Sequence, residues 1–203
     1  FARVAACTVP IRVADPATNA RTVLDQARAC AAEGVAVAIF PELGLSGTDE
    51  QAGERPTVSQ LCLGGLIKHV ADVEERWLRF AVGDHGAMRF DLPEGVTWEE
   101  FMAGTAREFP QWAIDRSNSF RMQPGDTLAA ILQRYADVAA RTERIVAELP
   151  DLSVTHPLPE APWLTSGEVR SARRVLTHVI LETAQHAGHA DILRESLDGQ
   201  TST

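Results

Sequence analysis

Four titratable side chains, His178, Glu182, His186 and His189, lie in one stretch, THVILETAQHAGHADILRE. At about 100° per residue of helix they fall at roughly 0°, 40°, 80° and 20°, so all four share a face. Val175, Val179, Leu181 and Leu193 flank or share that side, which turns it at least partly inward. A buried carboxylate beside buried imidazoles is costly unless something compensates it, and a divalent cation does so. Glu182 and His186 have the i, i+4 spacing that lets two ligands from one helix reach one ion. A third ligand must come from a facing helix. His69, in GGLIKHVADVEERW, is the candidate, because Leu63, Leu66, Ile67, Val70 and Val73 mark that side of its helix as core-facing. Each of these residues also has a plainer reading. His69 alone reads as a hydrogen-bonded core histidine, and Glu182 with His186 as an exposed helical pair worth about 0.2–0.5 kcal/mol. His189 has three roles open to it: a fourth ligand, a partner that orients a ligand from outside, or a surface residue. Asp72, one turn beyond His69, is placed to accept from that ring's free nitrogen. His178 shares the face without an assigned role, and His85 and His156 lie in loop-like sequence and read as solvated.

The elements that must position these residues follow from periodicity. TVSQLCLGGLIKHVADVEERWLRFAV (57–82), TLAAILQRYADVAARTERIVAEL (127–149) and SARRVLTHVILETAQHAGHADILRESL (171–197) keep apolar residues at i, i+3, i+4 and i+7 over many turns. They predict three long amphipathic helices. A Gly- and Pro-punctuated insertion, 83–125, separates the first two and is expected to hold one or two short helices. A proline-rich crossover, PDLSVTHPLPEAPWLTSGE, separates the last two and ends at Ser171, a plausible cap. These two variable segments are expected to form a substrate pocket. Trp77, Trp98, Trp112 and Trp163 are candidates to line it, with core packing as the plainer use of each.

The first fifty residues follow other rules. RVAACTV (3–9) and VAVAIF (35–40) are short apolar runs, and the segment between them offers Asp15 as a cap, Pro16 at the first helical position and Gly34 as a stop. This is the pattern of a β-α-β unit. After residue 50 no strand signal is visible. Two apolar strands alone form a marginal sheet with open edges. The helix at 17–33, with Val23, Leu24, Ala27, Cys30 and Ala31 on one stripe, is therefore expected to supply a fourth helix to the three that follow.

Composition narrows the partners. A chain of 203 residues buries a full core without disulfides, and three cysteines without close spacing, Cys7, Cys30 and Cys62, suit reduced thiols in a cytoplasm. The net charge of −9 disfavours a phosphate backbone or an anionic membrane. No stretch approaches the roughly 20 apolar residues of a membrane span, and none reads as a signal peptide. The expectation is a soluble, cytoplasmic protein without nucleic-acid or membrane partners.

Two resemblances add to this reading. RVAACTVPIRVADPATNARTVLDQARACAAEGVAVAIFPELGLSG (3–47) resembles the opening of the nitrilase superfamily, most closely the glutaminase domain of glutamine-dependent NAD synthetase. In that family the Glu after the Pro is the general base of a Glu-Lys-Cys triad, which implies Glu42 here. The single lysine, Lys68, and the later cysteine, Cys62, both fall in an amphipathic helix of another kind, so Glu42 is expected to be inactive. TDEQAGERPTVSQLCLGGLIKHVADVEERW together with ARRVLTHVILETAQHAGHADILRESLDG resembles the DinB-like superfamily of metal-binding four-helix bundles, which includes mycothiol-dependent maleylpyruvate isomerase and related thiol transferases. It covers about 48–199, leaving 1–47 as the truncated nitrilase-like segment and 200–203 as a tail. The fold it implies is a mostly α, DinB-like four-helix bundle, in which the nitrilase-like segment stands where a first long helix normally lies. Many members carry His-x-x-x-His on the last helix, and Glu-x-x-x-His here resembles the isomerase branch. The ligands so implied are His69, Glu182 and His186; His189 and Asp72 remain candidate outside partners from their spacing alone.

Three ligands and a vacant position describe a catalytic metal site. Zinc is the first choice, with nickel, iron and manganese also accepting this donor set. The resemblance implies a mycothiol-like, low-molecular-weight thiol and a small electrophile as substrates, joined in an S-transfer or a thiol-assisted isomerisation. The rival expectation is a non-catalytic, metal-stabilised bundle acting as a stress-response or homodimerising module. A glutamine amidohydrolase is a third reading, short of its Lys and Cys.

Overall fold

The computed structural model describes residues 4–7, 16–35, 37–39 and 49–199. In chain order the elements are β1 (Val4–Ala6), α1 (Pro16–Ala32), β2 (Val37–Ile39), α2 (Asp49–Gly53), α3 (Leu63–Ala81), α4 (Trp98–Ala103), α5 (Gln111–Ser119), α6 (Leu128–Glu148), β3 (Thr155–Pro157), β4 (Val169–Ser171) and α7 (Ala172–Asp198), with a 3-10 turn at His85–Met88. The molecule is a mostly helical bundle, as its periodicity predicts.

α3 is the axis. It is buried on nearly all sides, with Leu66, Leu78, Phe80 and His69 among the most enclosed side chains of the molecule. α6 packs on one flank of α3 and α7 on the other, with no extended interface between α6 and α7 themselves. The α3–α7 seam is antiparallel: Leu63 and Leu66 meet Ala190 and Leu193 at one end, and Val73, Trp77 and Phe80 meet Ala172 and Val175 at the other. On α6, Leu128 and Ile131 close a third cluster with Ile67 of α3 and Ala52 of α2. Charge reinforces the α3–α6 contact, since Arg134 bridges Asp72 at 2.6 Å and Glu75 at 2.9 Å while Arg141 takes the other oxygen of Glu75 at 2.8 Å.

The helix ends have local causes. Thr127 accepts from Ala130 N and Ser171 from Arg174 N, each at 3.2 Å, which satisfies an orphan donor of the first turn. α3 starts at Leu63 rather than in the 57–61 region. The Thr57 and Ser59 hydroxyls accept from the backbone N–H groups of Ser59 and Leu61, offering that stretch an alternative to helix. The insertion carries α4, α5 and the 3-10 turn. Strands do occur after residue 50, contrary to the sequence expectation: Thr155–Pro157 and Val169–Ser171 pair antiparallel, with His156 opposite Arg170.

The β-α-β pattern is present, with Val4, Ala5 and Ala6 paired in parallel to Val37, Ala38 and Ile39 across α1. Gly34 stops the helix with φ of 72°. Cys7 and Cys30, both buried free thiols, hold the layer together at 3.4 Å between sulfurs. The expectation that this helix completes the bundle is not met. Among the described residues α1 shares no extended interface with α3, α6 or α7, and its Leu24 is half exposed. Cys30 is the buried side chain of α1 among its described residues, and it faces Cys7 beside the sheet. On α7, Ile180 and Leu181 are exposed. Glu42 lies outside the described residues. Lys68 pairs with Asp126 at 2.5 Å and Cys62 caps α3 by accepting from Gly65 N, so neither is free for triad chemistry.

Candidate metal centre

Between the two apolar clusters of the α3–α7 seam lies one polar layer. His69 comes from α3, four residues before Val73; Glu182 and His186 come from consecutive turns of α7. One ligand atom from each falls within 4.8 Å of the others. His69 and His186 are buried, at 2% and 8% exposure, and Glu182 reaches the layer from the partly open side.

Hydrogen bonds set the orientation of both imidazoles. The Ser119 hydroxyl donates to the Arg116 carbonyl at 2.8 Å, so the Ser119 oxygen is left as the acceptor for His69 Nδ1 at 3.0 Å. Nδ1 therefore carries the proton, and Nε2 keeps its lone pair. Phe120 stacks on the His69 ring, with centroids 3.8 Å apart. His186 turns Nε2 toward Glu182 Oε2 at 3.6 Å and Nδ1 toward His189 Nδ1 at 3.2 Å. His178 lies 3.6 Å from the other Glu182 oxygen and edge-on to Trp77.

Burial, with the neighbouring His186 and the cationic Arg116 and Arg76, pushes His69 down to about 3. Burial also lowers His186, against the opposing pull of Glu182. Both rings are neutral at physiological pH, the state in which imidazole donates a lone pair. Two neutral imidazoles and one carboxylate, converging on a common point, fit a divalent cation by donor type and charge.

Two outside partners differ in their fate. His189 does reach the free nitrogen of His186. Asp72 does not serve His69, because Arg134 of α6 claims its carboxylate at 2.6 Å. Ser119, buried at the end of α5, occupies that role instead. Nothing in the sequence pointed to it: it stands 50 residues from His69, in the polar run RSNSF. What brings it there is the glycine pair of α3. A methyl group on Gly65 would overlap the backbone carbonyl of Phe120, and one on Gly64 would lie 2.6 Å from the Met122 sulfur. The insertion docks flush against α3 because those side chains are missing.

Beside the cluster opens a cleft of about 880 Å³, which Glu182 and His178 share. The insertion contributes Phe90, Phe101 and Trp112 to its wall, and the crossover contributes Leu158, Trp163 and Leu164, as the two variable segments were expected to do. Trp98 meets Trp163 edge to face at 5.3 Å. His85 and His156 stand apart from the cluster, edge to face at 5.5 Å. Among the described residues no helix is long and apolar enough to cross a membrane.

A mostly helical bundle that converges His, Glu and His beneath an aromatic cleft is DinB-like in class. The chain belongs to the mycothiol-S-transferase family, whose model matches residues 42–199. A separate, short similarity joins it to glutamine-dependent NAD(+) synthetases. It is 62% identical over 47 residues to those of Mycobacterium bovis, Mycobacterium tuberculosis and Mycobacterium leprae, which is 23% of this chain and 7% of each relative. The chain thus spans a small fraction of the curated relatives it matches.

Proposed function

We propose that this chain is a metal-dependent thiol S-transferase, joining mycothiol or a similar low-molecular-weight thiol to a small electrophile. The observation that carries the reading is the convergence of His69, Glu182 and His186 within 4.8 Å at the edge of a cleft large enough for a substrate. These three residues would hold a divalent ion, zinc being the first choice for this donor set. When bound, such an ion supplies Lewis acidity that lowers the pKa of a thiol beside it, so that the thiolate nucleophile exists at neutral pH. The chain's own residues do the rest. Ser119 fixes the tautomer of His69 so that Nε2 keeps its lone pair, and His189 holds the His186 ring by its Nδ1. Phe120 closes one side of His69 against water. The cleft holds the electrophile next to the cluster, converting an encounter into a positioned reaction.

The outside partners give a graded test. Ser119→Ala removes the acceptor that orients His69, and zinc affinity is expected to fall by about 10–100-fold, as is usual for loss of such a partner. Competition against a chromophoric chelator measures this. An unchanged affinity would mean that His69 is not a ligand. Turnover is tested directly by mixing the zinc-loaded protein with mycothiol and monobromobimane and following the thioether. No rate above the uncatalysed reaction would sink the transferase reading.

A further inference from the structure

The cleft beside the His–Glu–His cluster carries charges that the metal reading does not use. The whole chain is acidic, with 28 Asp and Glu against 19 Lys and Arg. The cleft reverses this: Arg76, Arg116, Arg121 and Arg170 line it, with Glu182 the one carboxylate among its described lining residues. Arg170 is paired with Glu168 at 3.1 Å and lies over the Trp77 ring. Among the described residues no carboxylate lies within ion-pair distance of Arg76, Arg116 or Arg121. The Nε–H groups of Arg76 and Arg121 are buried and find no acceptor in the protein. Buried donors are ordinarily satisfied, and a guanidinium without a partner is a strong exception.

Like charges also crowd one another here. Arg116 acts on Arg76, against the opposing pull of Asp72 and Glu182, and its positive charge also reaches His69 and His186. Aromatic residues make up another part of the lining. Phe90 meets both Trp112 and Trp163 edge to face at 5.2 Å, and the two indoles lie tilted 6.0 Å apart, a wall able to cover an apolar body.

We propose that this cleft is the binding site for an organic anion with an apolar body, with Arg76, Arg116 and Arg121 taking its carboxylate and the Phe90, Trp112 and Trp163 wall taking its body. The assignment deepens the transferase reading by giving the electrophile a chemical class, a carboxylic acid with an apolar body. The binding itself requires neither thiol nor turnover. A carboxylate held by three guanidinium groups would have its reactive carbon presented from the aromatic wall toward the cluster, and an uncharged analogue would leave the same groups unpaired.

The test is calorimetric titration of the zinc-loaded protein with 2-naphthoate and with its uncharged counterpart 2-naphthamide. The expected result is that naphthoate binds tighter by about tenfold or more, the scale of hydrogen bonds to a charged partner. Arg116→Gln, at an exposed position, should reduce that preference severalfold, and Arg121→Gln should do the same. The preference should survive in His186→Ala. Equal binding of the two probes, or binding of neither, overturns the anion site while leaving the metal centre untouched. A preference lost in His186→Ala but kept in both arginine variants also overturns it, because the carboxylate would then be sitting at the metal position. Absence of zinc together with a retained, arginine-dependent preference would defeat the transferase reading and keep the anion site.

Discussion

Glu182→Ala and His186→Ala are each expected to purify without the divalent ion that the proposed centre should hold at one per chain in the parent, and thiol transfer should fall by more than 100-fold. The magnitude follows from position: losing an outside partner of a ligand costs about 10–100-fold in affinity or activity, and losing the ligand itself exceeds that. Glu182 is the single carboxylate of the set, so its removal leaves two neutral imidazoles against a doubly charged ion. His186 takes with it the contact to His189. Elemental analysis reads the ion, and circular dichroism shows whether the helices persist. A further readout is thermal: zinc should raise the melting temperature of the parent through binding to the native state and leave both variants unmoved. A well-folded parent that takes up no metal even after reconstitution would reduce the His–Glu–His layer to a packing device.

Gly65→Ala should be the most damaging small substitution in the helices. Its new methyl would overlap the Phe120 carbonyl, and no rotamer relieves a clash between a Cβ and a backbone. Overpacking costs about 1–3 kcal/mol and occasionally more, and here either α3 or the segment 119–121 must shift. A loss of about 3 kcal/mol corresponds to roughly 6–12 °C in melting temperature for a domain of this size. The shift also drags Ser119 and Phe120 off His69, so zinc affinity should fall with stability. Gly64→Ala is the control. It meets mainly the thioether of Met122, the flexible end of a side chain, so its effect should be markedly smaller. Equal melting temperatures for the two variants would show that the insertion is not docked through Gly65.

The clustering of His69, Glu182 and His186 was legible because its information is local. Glu182 and His186 are one turn apart on a helix, and the apolar register around His69 shows which way that residue faces. Periodicity likewise marks the three long helices, and the Gly- and Pro-punctuated segments between them mark both halves of the cleft wall. What failed to show was long-range. Asp72 looks available to His69 until Arg134, on another helix, is known to stand 2.6 Å from it. Ser119 and the unpaired guanidinium groups of Arg76, Arg116 and Arg121 acquire meaning from where the insertion folds, which no spacing encodes. The β3–β4 ribbon has three residues per strand, including Pro157, too few to leave an alternation. The placement of α1 apart from the three long helices is a tertiary outcome, which a stripe of side chains does not decide.

The arrangement of α6 and α7 on opposite flanks of α3 has a bearing on how the molecule breathes. With no extended interface joining them, either outer helix can lift without disturbing the other, whereas exposing α3 requires both to leave. Amide protons of α3 should therefore exchange with solvent through near-global opening, and those of α7 through a cheaper, partial one. The proposed ligand set straddles these two cooperative units, His69 on the slow one and Glu182 with His186 on the fast one. Capture and loss of an ion would then be timed by the hinge of a single helix rather than by unfolding of the bundle.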